Sequence, residues 1–347
     1  MAKRSRREFL KKGVTLATVT SVTPVLKVEG VLAGGGPEYE MRSTARAPWT
    51  PVRVLETEKM PWENLPGADD ISRKYQYRRK LLFLNPETKA HIMITYRYPG
   101  WPGAPVHYHS FHEWGYMLSG DTTNNESTHP KQNFGPLMRF REGYFLSRPP
   151  YSLHGGERGR QDFMRSQTGA SWFFMEEGDV AKESWSLEQG STMTYNPDYS
   201  KVTQWTVPRI IDTIDKMPWQ PEGSVPGLYI KRLEDDQKNG FRATLWWLEA
   251  GWNSSQSPRF ARAYYYKQAY QFNFVITGDL KIQTYQAPAA KAEQITLGRY
   301  FYIERAPMSI FGLADGVVTE RGCVWLEATF GKGTSVSTTP IEDPTYV

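Results

Sequence analysis

The 347-residue chain has one cysteine, Cys323, so no internal disulfide can form and its stability must come from packing. It has no CxxC pair, no Walker loop and no dinucleotide fingerprint; Gly34-Gly35-Gly36 stands alone and is expected to be linker. No apolar run reaches the roughly 20 residues that a membrane-spanning helix needs. No long amphipathic helical pattern is evident either. Lys/Arg clusters are missing outside the N-terminus, which excludes a polyanion-binding stripe and with it a nucleic-acid partner.

The charge balance says the same once the N-terminus is treated separately. Lys and Arg total 42 against 37 Asp and Glu, a formal +5. Residues 1–33 carry seven Lys/Arg and two Asp/Glu, so the remaining chain is formally neutral. Within that segment Ser5-Arg6-Arg7-Glu8-Phe9-Leu10-Lys11 resembles the twin-arginine export signal. A diluted apolar stretch, 13–26, follows, and Val31-Leu32-Ala33 offers small residues for cleavage. The resemblance implies export of a folded protein to the periplasm, with no membrane attachment after cleavage.

What the chain does have is a repeat. Trp49-Thr50 and Arg53 return as Trp205-Thr206 and Arg209, and Lys59-Met60-Pro61-Trp62 returns as Lys216-Met217-Pro218-Trp219. Pro66-Gly67 matches Pro226-Gly227, Leu81-Leu82 matches Arg232-Leu233, and Gly100-Trp101 matches Gly251-Trp252. The offset stays near 150–160 residues, which indicates a tandem duplication. We expect one domain over 45–180, a polar linker over 181–203 and a second domain over 204–335. Aromatic content of 14% and short β-rich runs such as 92–98, 172–175 and 324–328 predict strands. Ser119-Gly120-Asp121 and Thr277-Gly278-Asp279 are expected as turns between them. The fold class is all-β, two sandwiches or barrels.

The chemistry-bearing residues lie in the first half. His107-x-His109 places two imidazoles on one face of a strand, because side chains alternate with period 2. Glu113 is an even step further on, with Gly115 and Met117 also inward and Trp114, Tyr116 and Leu118 outward. A hairpin through Gly120 is expected to return His154 opposite. Three imidazoles and a carboxylate suit Mn, Fe, Co, Ni, Cu or Zn.

The run His107-x-His109-x3-Glu113-x6-Gly120, followed by Gly143-x5-Pro149-x4-His154, resembles the two motifs of the cupin superfamily. It departs from them at Trp101, Tyr151 and Arg158. Met60-Pro61-Trp62, Pro66-Gly67, Leu81-Leu82 and Gly100-Trp101 resemble the ChrR-type subgroup. The resemblance implies two tandem double-stranded β-helix (jelly-roll) barrels, with His107, His109, Glu113 and His154 holding one divalent metal, Fe(II) favoured. It implies a dioxygenase-like oxidoreductase acting on a small enolisable or aromatic compound, with Glu113 as the catalytic proton acceptor. The alternatives are a non-redox lyase, isomerase or decarboxylase, or a metal-containing sensor.

In the second half, aligning Gly278 with Gly120 puts Tyr265, Lys267 and Gln271 at the first three ligand positions. Phe311 takes the fourth, so no second metal is expected. His112 breaks the phase and should face away, His91 should be structural and His129 solvated. Cys323 reads as a buried inert thiol. The expected partner is a small-molecule substrate, and the chain is expected to be a monomer or homo-oligomer.

Overall fold

The computed structural model describes residues 49–64, 77–127, 130, 137–156, 166–189, 193–236, 241–266, 269–287 and 290–330. The N-terminal segment expected to be an export signal and His129 lie outside these residues. The described chain is almost entirely β, with a few short helical turns and one four-residue helix, Pro258–Ala261. None of its helices is long and apolar enough to cross a membrane.

Strict alternation in the strands accounts for two kinds of interior. In Ala170–Glu176, Phe173 and Met175 point one way and Trp172 and Phe174 the other; in Cys323–Phe330, Leu326 and Ala328 oppose Cys323 and Trp325. The first set from each half meets in one shared core, where Trp114, Tyr116, Leu118, Phe173 and Met175 pack with Phe241, Leu245, Phe272, Phe274 and Tyr302. Residues facing out of one barrel are thus buried against the other, which is why the strands read as nearly continuous apolar runs. The opposite sets fill the inside of each barrel separately.

The strand Glu113–Ser127 does not turn at Gly120. It runs on for 15 residues, pairing with Ala170–Glu176 and Tyr144–Arg148 through its first half and with Leu137–Arg141 and Leu153–Gly155 through its second. Gly120 has φ +78°, and a Cβ there would lie 1.8 Å from the Gly169 carbonyl oxygen. The glycine therefore bends a continuous strand from one wall to the other instead of closing a hairpin. His154 arrives on the return strand Leu153–Gly155, opposite both His107 and Glu126. In the second half the equivalent strand breaks, giving Tyr270–Gly278 and Leu280–Tyr285.

The halves exchange their first strands. Arg53–Glu56 pairs antiparallel with Phe301–Arg305, and Arg209–Asp212 pairs with Tyr144–Arg148. The repeated motifs serve this exchange. The Trp62 ring lies 4.5 Å from Lys80 Nζ, and Trp219 lies 4.4 Å from Lys231 Nζ. Each ammonium then donates to a carbonyl just after an exchanged strand, Lys80 to Thr57 and Lys231 to Thr213. The segment 181–203 is more than a connection: Ser184–Ser186 pairs with His107–His109, Ser184 opposite His109.

Candidate metal centre

The short strand His107–His109 and its neighbour Leu153–Gly155 bring three imidazoles together. His107 and His154 are register partners with ring centroids 4.1 Å apart; His109 lies 5.0 Å from His107 and 5.2 Å from His154. Their candidate ligand atoms all fall within 4.8 Å of one another, and each residue is 5% exposed or less.

Hydrogen bonds assign the tautomers. His107 Nδ1 is 2.7 Å from the Pro105 carbonyl and His154 Nδ1 is 3.0 Å from the Ser152 carbonyl. A carbonyl only accepts, so each Nδ1 must carry the proton and each Nε2 must present a lone pair. His109 Nδ1 lies 2.6 Å from Ser184 Oγ, which fixes the third ring. His109 Nε2 and His154 Nε2 are buried without a hydrogen-bond partner. Burial also holds two of the imidazoles neutral: His107 is pushed down to about 3 by desolvation and by the neighbouring His109, and His154 lies well below its usual value through desolvation and Arg148. Oriented imidazoles around one point, two of them with a buried and unpartnered Nε2, fit a transition metal.

Glu113 turns Oε2 toward the same point, 3.2 Å from His109 Nε2 and 3.7 Å from His154 Nε2, without hydrogen-bond alignment to His109. Its other oxygen accepts from Arg148, which also donates to Glu126 through Nε, at 3.1 Å, and through a terminal nitrogen. Burial would raise the Glu113 carboxyl, but the Arg148 guanidinium outweighs it and holds the group well below the usual range. Burial lifts Glu126, against the pull of Arg148. Arg148 is itself held protonated; burial opposes its charge, and the two carboxylates overcome that.

Arg148, Glu126 and Ser184 were not legible as site residues from the motif. One signal existed: both halves keep an arginine six residues before the fourth position, Arg148 before His154 and Arg305 before Phe311. His112 faces away, between Ser147 Oγ at 2.8 Å and the Phe241 ring at 5.0 Å. His91 pairs with Glu176 at 2.8 Å; burial works against its charge, and Glu176 raises its pKa overall. Cys323 is buried, and desolvation pushes its thiol pKa well up.

The second half needs a correction of register. Tyr264 bridges Phe311 as His107 pairs with His154, and Met308 N donates to the Tyr266 carbonyl as Tyr151 N donates to that of His109. Tyr264 and Tyr266, not Tyr265 and Lys267, therefore stand at the first two positions. One extra residue before Gln271 causes the shift. Tyr265 packs instead against Trp49, 5.1 Å away, and Lys267 lies outside the described residues. Gln271 pairs with Arg305 as Glu113 pairs with Arg148. The Arg305 guanidinium lies 4.4 Å from the Tyr264 ring and 4.2 Å from the Phe311 ring. An arginine between two rings thus occupies the place of the imidazole cluster.

No family model and no curated protein sequence matches this chain. Its solved structural neighbours include two mutants of oxalate decarboxylase from Bacillus subtilis. One, with a glutamate replaced by alanine, is 10% identical with a TM-score of 0.52; the other, with an arginine replaced by alanine, is 11% identical with a TM-score of 0.51. Each alignment covers 83% of this chain and 78% of that one. At this identity the likeness is one of fold: the chain is built as two tandem double-stranded β-helix barrels of the cupin kind.

Proposed function

We propose that the protein is a periplasmic, metal-dependent cupin enzyme that cleaves or decarboxylates a small, oxygen-rich acid without net redox change. The observation that carries this reading is the set of three imidazoles, Nδ1 hydrogen-bonded and Nε2 converging, beside a carboxylate held ionised by Arg148. His107, His109, His154 and Glu113 would hold a divalent transition metal, which when bound supplies a Lewis acid toward a carboxylate or carbonyl oxygen of the substrate. The same donors suit Mn, Fe, Co, Ni, Cu or Zn.

The chain's own residues then have separate tasks. Ser184 and the Pro105 and Ser152 carbonyls orient the rings. Arg148 keeps Glu113 a carboxylate, which makes Glu113 a source of negative charge at the centre and a poor proton acceptor. Phe111 stacks on His109 at 4.7 Å and 21° and shields that side from water. The likeness in fold to a decarboxylase supports the non-redox reading over the oxygenase expected from the subgroup resemblance.

The test starts with metal analysis of protein purified from its native periplasm, then a panel of small carboxylates assayed for both CO2 release and O2 uptake. We expect a stoichiometric transition metal and CO2 release without matching O2 uptake. O2 consumed in step with turnover would restore the dioxygenase reading, and metal-free native protein would sink both.

A further inference from the structure

The second barrel contains a cavity of about 540 Å³, within the range of small-molecule sites. We infer that it binds an uncharged, hydroxylated aromatic ring, a phenol-like ligand distinct from the substrate of the first barrel.

Three strands set its wall. Asn273, Glu327 and Thr244 are register partners across neighbouring strands, so an amide, a carboxyl and a hydroxyl stand in one row facing inward. In the first barrel the same row is Gly115, Phe174 and Met93, and it is filled: a Cβ on Gly115 would meet the Phe174 ring at 2.9 Å. Buried polar groups weaken a barrel unless they have partners, so the apolar filling is the better solution for stability alone. One row along, Trp246 and Trp325 lie with centroids 6.0 Å apart and planes within 13°, and Phe260 is 5.9 Å from Trp246. These rings offer an apolar platform for a planar ligand.

Charge narrows the class. Inside the barrel burial lifts the Glu327 carboxyl toward its neutral form, and the attraction of the Arg305 cation offsets this only in part. At the mouth Arg232 pairs with Glu222 at 3.3 Å and Arg242 with Asp235 at 3.1 Å. These arginines already face carboxylates, so a charged ligand would compete with existing pairs, whereas a hydroxyl has Glu327, Asn273 and Thr244 to bond.

Phenol, glucose and benzoate, titrated separately into the full-length protein and followed by calorimetry and tryptophan fluorescence, test this. Phenol should bind at a single site and quench the fluorescence. Glu327→Leu should weaken it at least about tenfold, while Glu327→Gln retains most of it. The triple change Thr244→Met, Asn273→Gly and Glu327→Phe, which copies the first barrel, should abolish binding with metal content unchanged. If the triple variant fails to fold, the Leu and Gln variants decide. No phenol binding, tighter binding of benzoate or glucose, or indifference to Glu327→Leu would overturn the inference.

Discussion

The two barrels share a scaffold and differ in what stands at its centre. Both keep a buried arginine facing the third position, a bending glycine packed against another glycine, and a tryptophan–lysine pair that anchors the exchanged strand. In the first barrel the arginine holds a carboxylate in place beside three imidazoles. In the second, Tyr264, Tyr266, Gln271 and Phe311 replace them, and the guanidinium settles between the rings. The difference teaches that the same place in the scaffold can be furnished for a metal ion or for a guanidinium, provided the surroundings compensate the charge. A metal requires lone pairs and a carboxylate; a guanidinium accepts π faces and carbonyls.

The sharpest way to break this comparison is to remove one equivalent residue from each barrel. His154→Ala should abolish stoichiometric metal binding, whereas Phe311→Ala should leave metal content intact and cost about 3–5 kcal/mol of stability; metal analysis and thermal unfolding of both variants check it. Metal loss in the Phe311 variant would mean the barrels are coupled. Arg148→Met comes next. It strands Glu113 and Glu126 in a dry site, and we expect a loss of about 3–5 kcal/mol on denaturant unfolding, since one partner of a buried pair is missing.

A smaller effect concerns pH. Burial lifts Glu327 to about 7, with Arg305 opposing. An acid whose folded value is raised holds its proton more tightly when folded, so its contribution is complete below its unfolded value near 4.5 and fades as pH rises through 7. Glu327→Gln should flatten the stability profile over that window by roughly 2 kcal/mol, discounted for water in the cavity. A profile unchanged by the substitution would show that the carboxyl is not raised in the folded protein. The smallest change is Ser184→Ala, which frees the His109 ring. Metal affinity should fall about tenfold, read by chelator competition, with stability nearly unchanged.

Much of this was legible before any coordinates. His107 and His109 share a face because strands alternate, and the same parity placed Trp114, Tyr116 and Leu118 on the other side. Other features carried no local signal in the chain. Gly120 signals a bend to any local reading, and only the neighbouring Gly169 carbonyl shows that the strand continues past it. Ser184 sits in a polar stretch with no periodicity, so its pairing with the histidine strand had no local signal. The one-residue shift that puts Tyr264 and Tyr266 into the ligand positions arises from an insertion too short for the repeat to reveal.

By itself the sequence determined the strand-rich class, the duplication and the residue types able to hold a cation, because alternation and ligand spacing are local properties of the chain. Only the tertiary structure decided that the first strands are exchanged, that Arg148 locks Glu113 and that the second barrel is hollow where the first is filled. Those outcomes depend on which side chains meet across strands far apart in sequence, and on whether their volumes and charges match when they do.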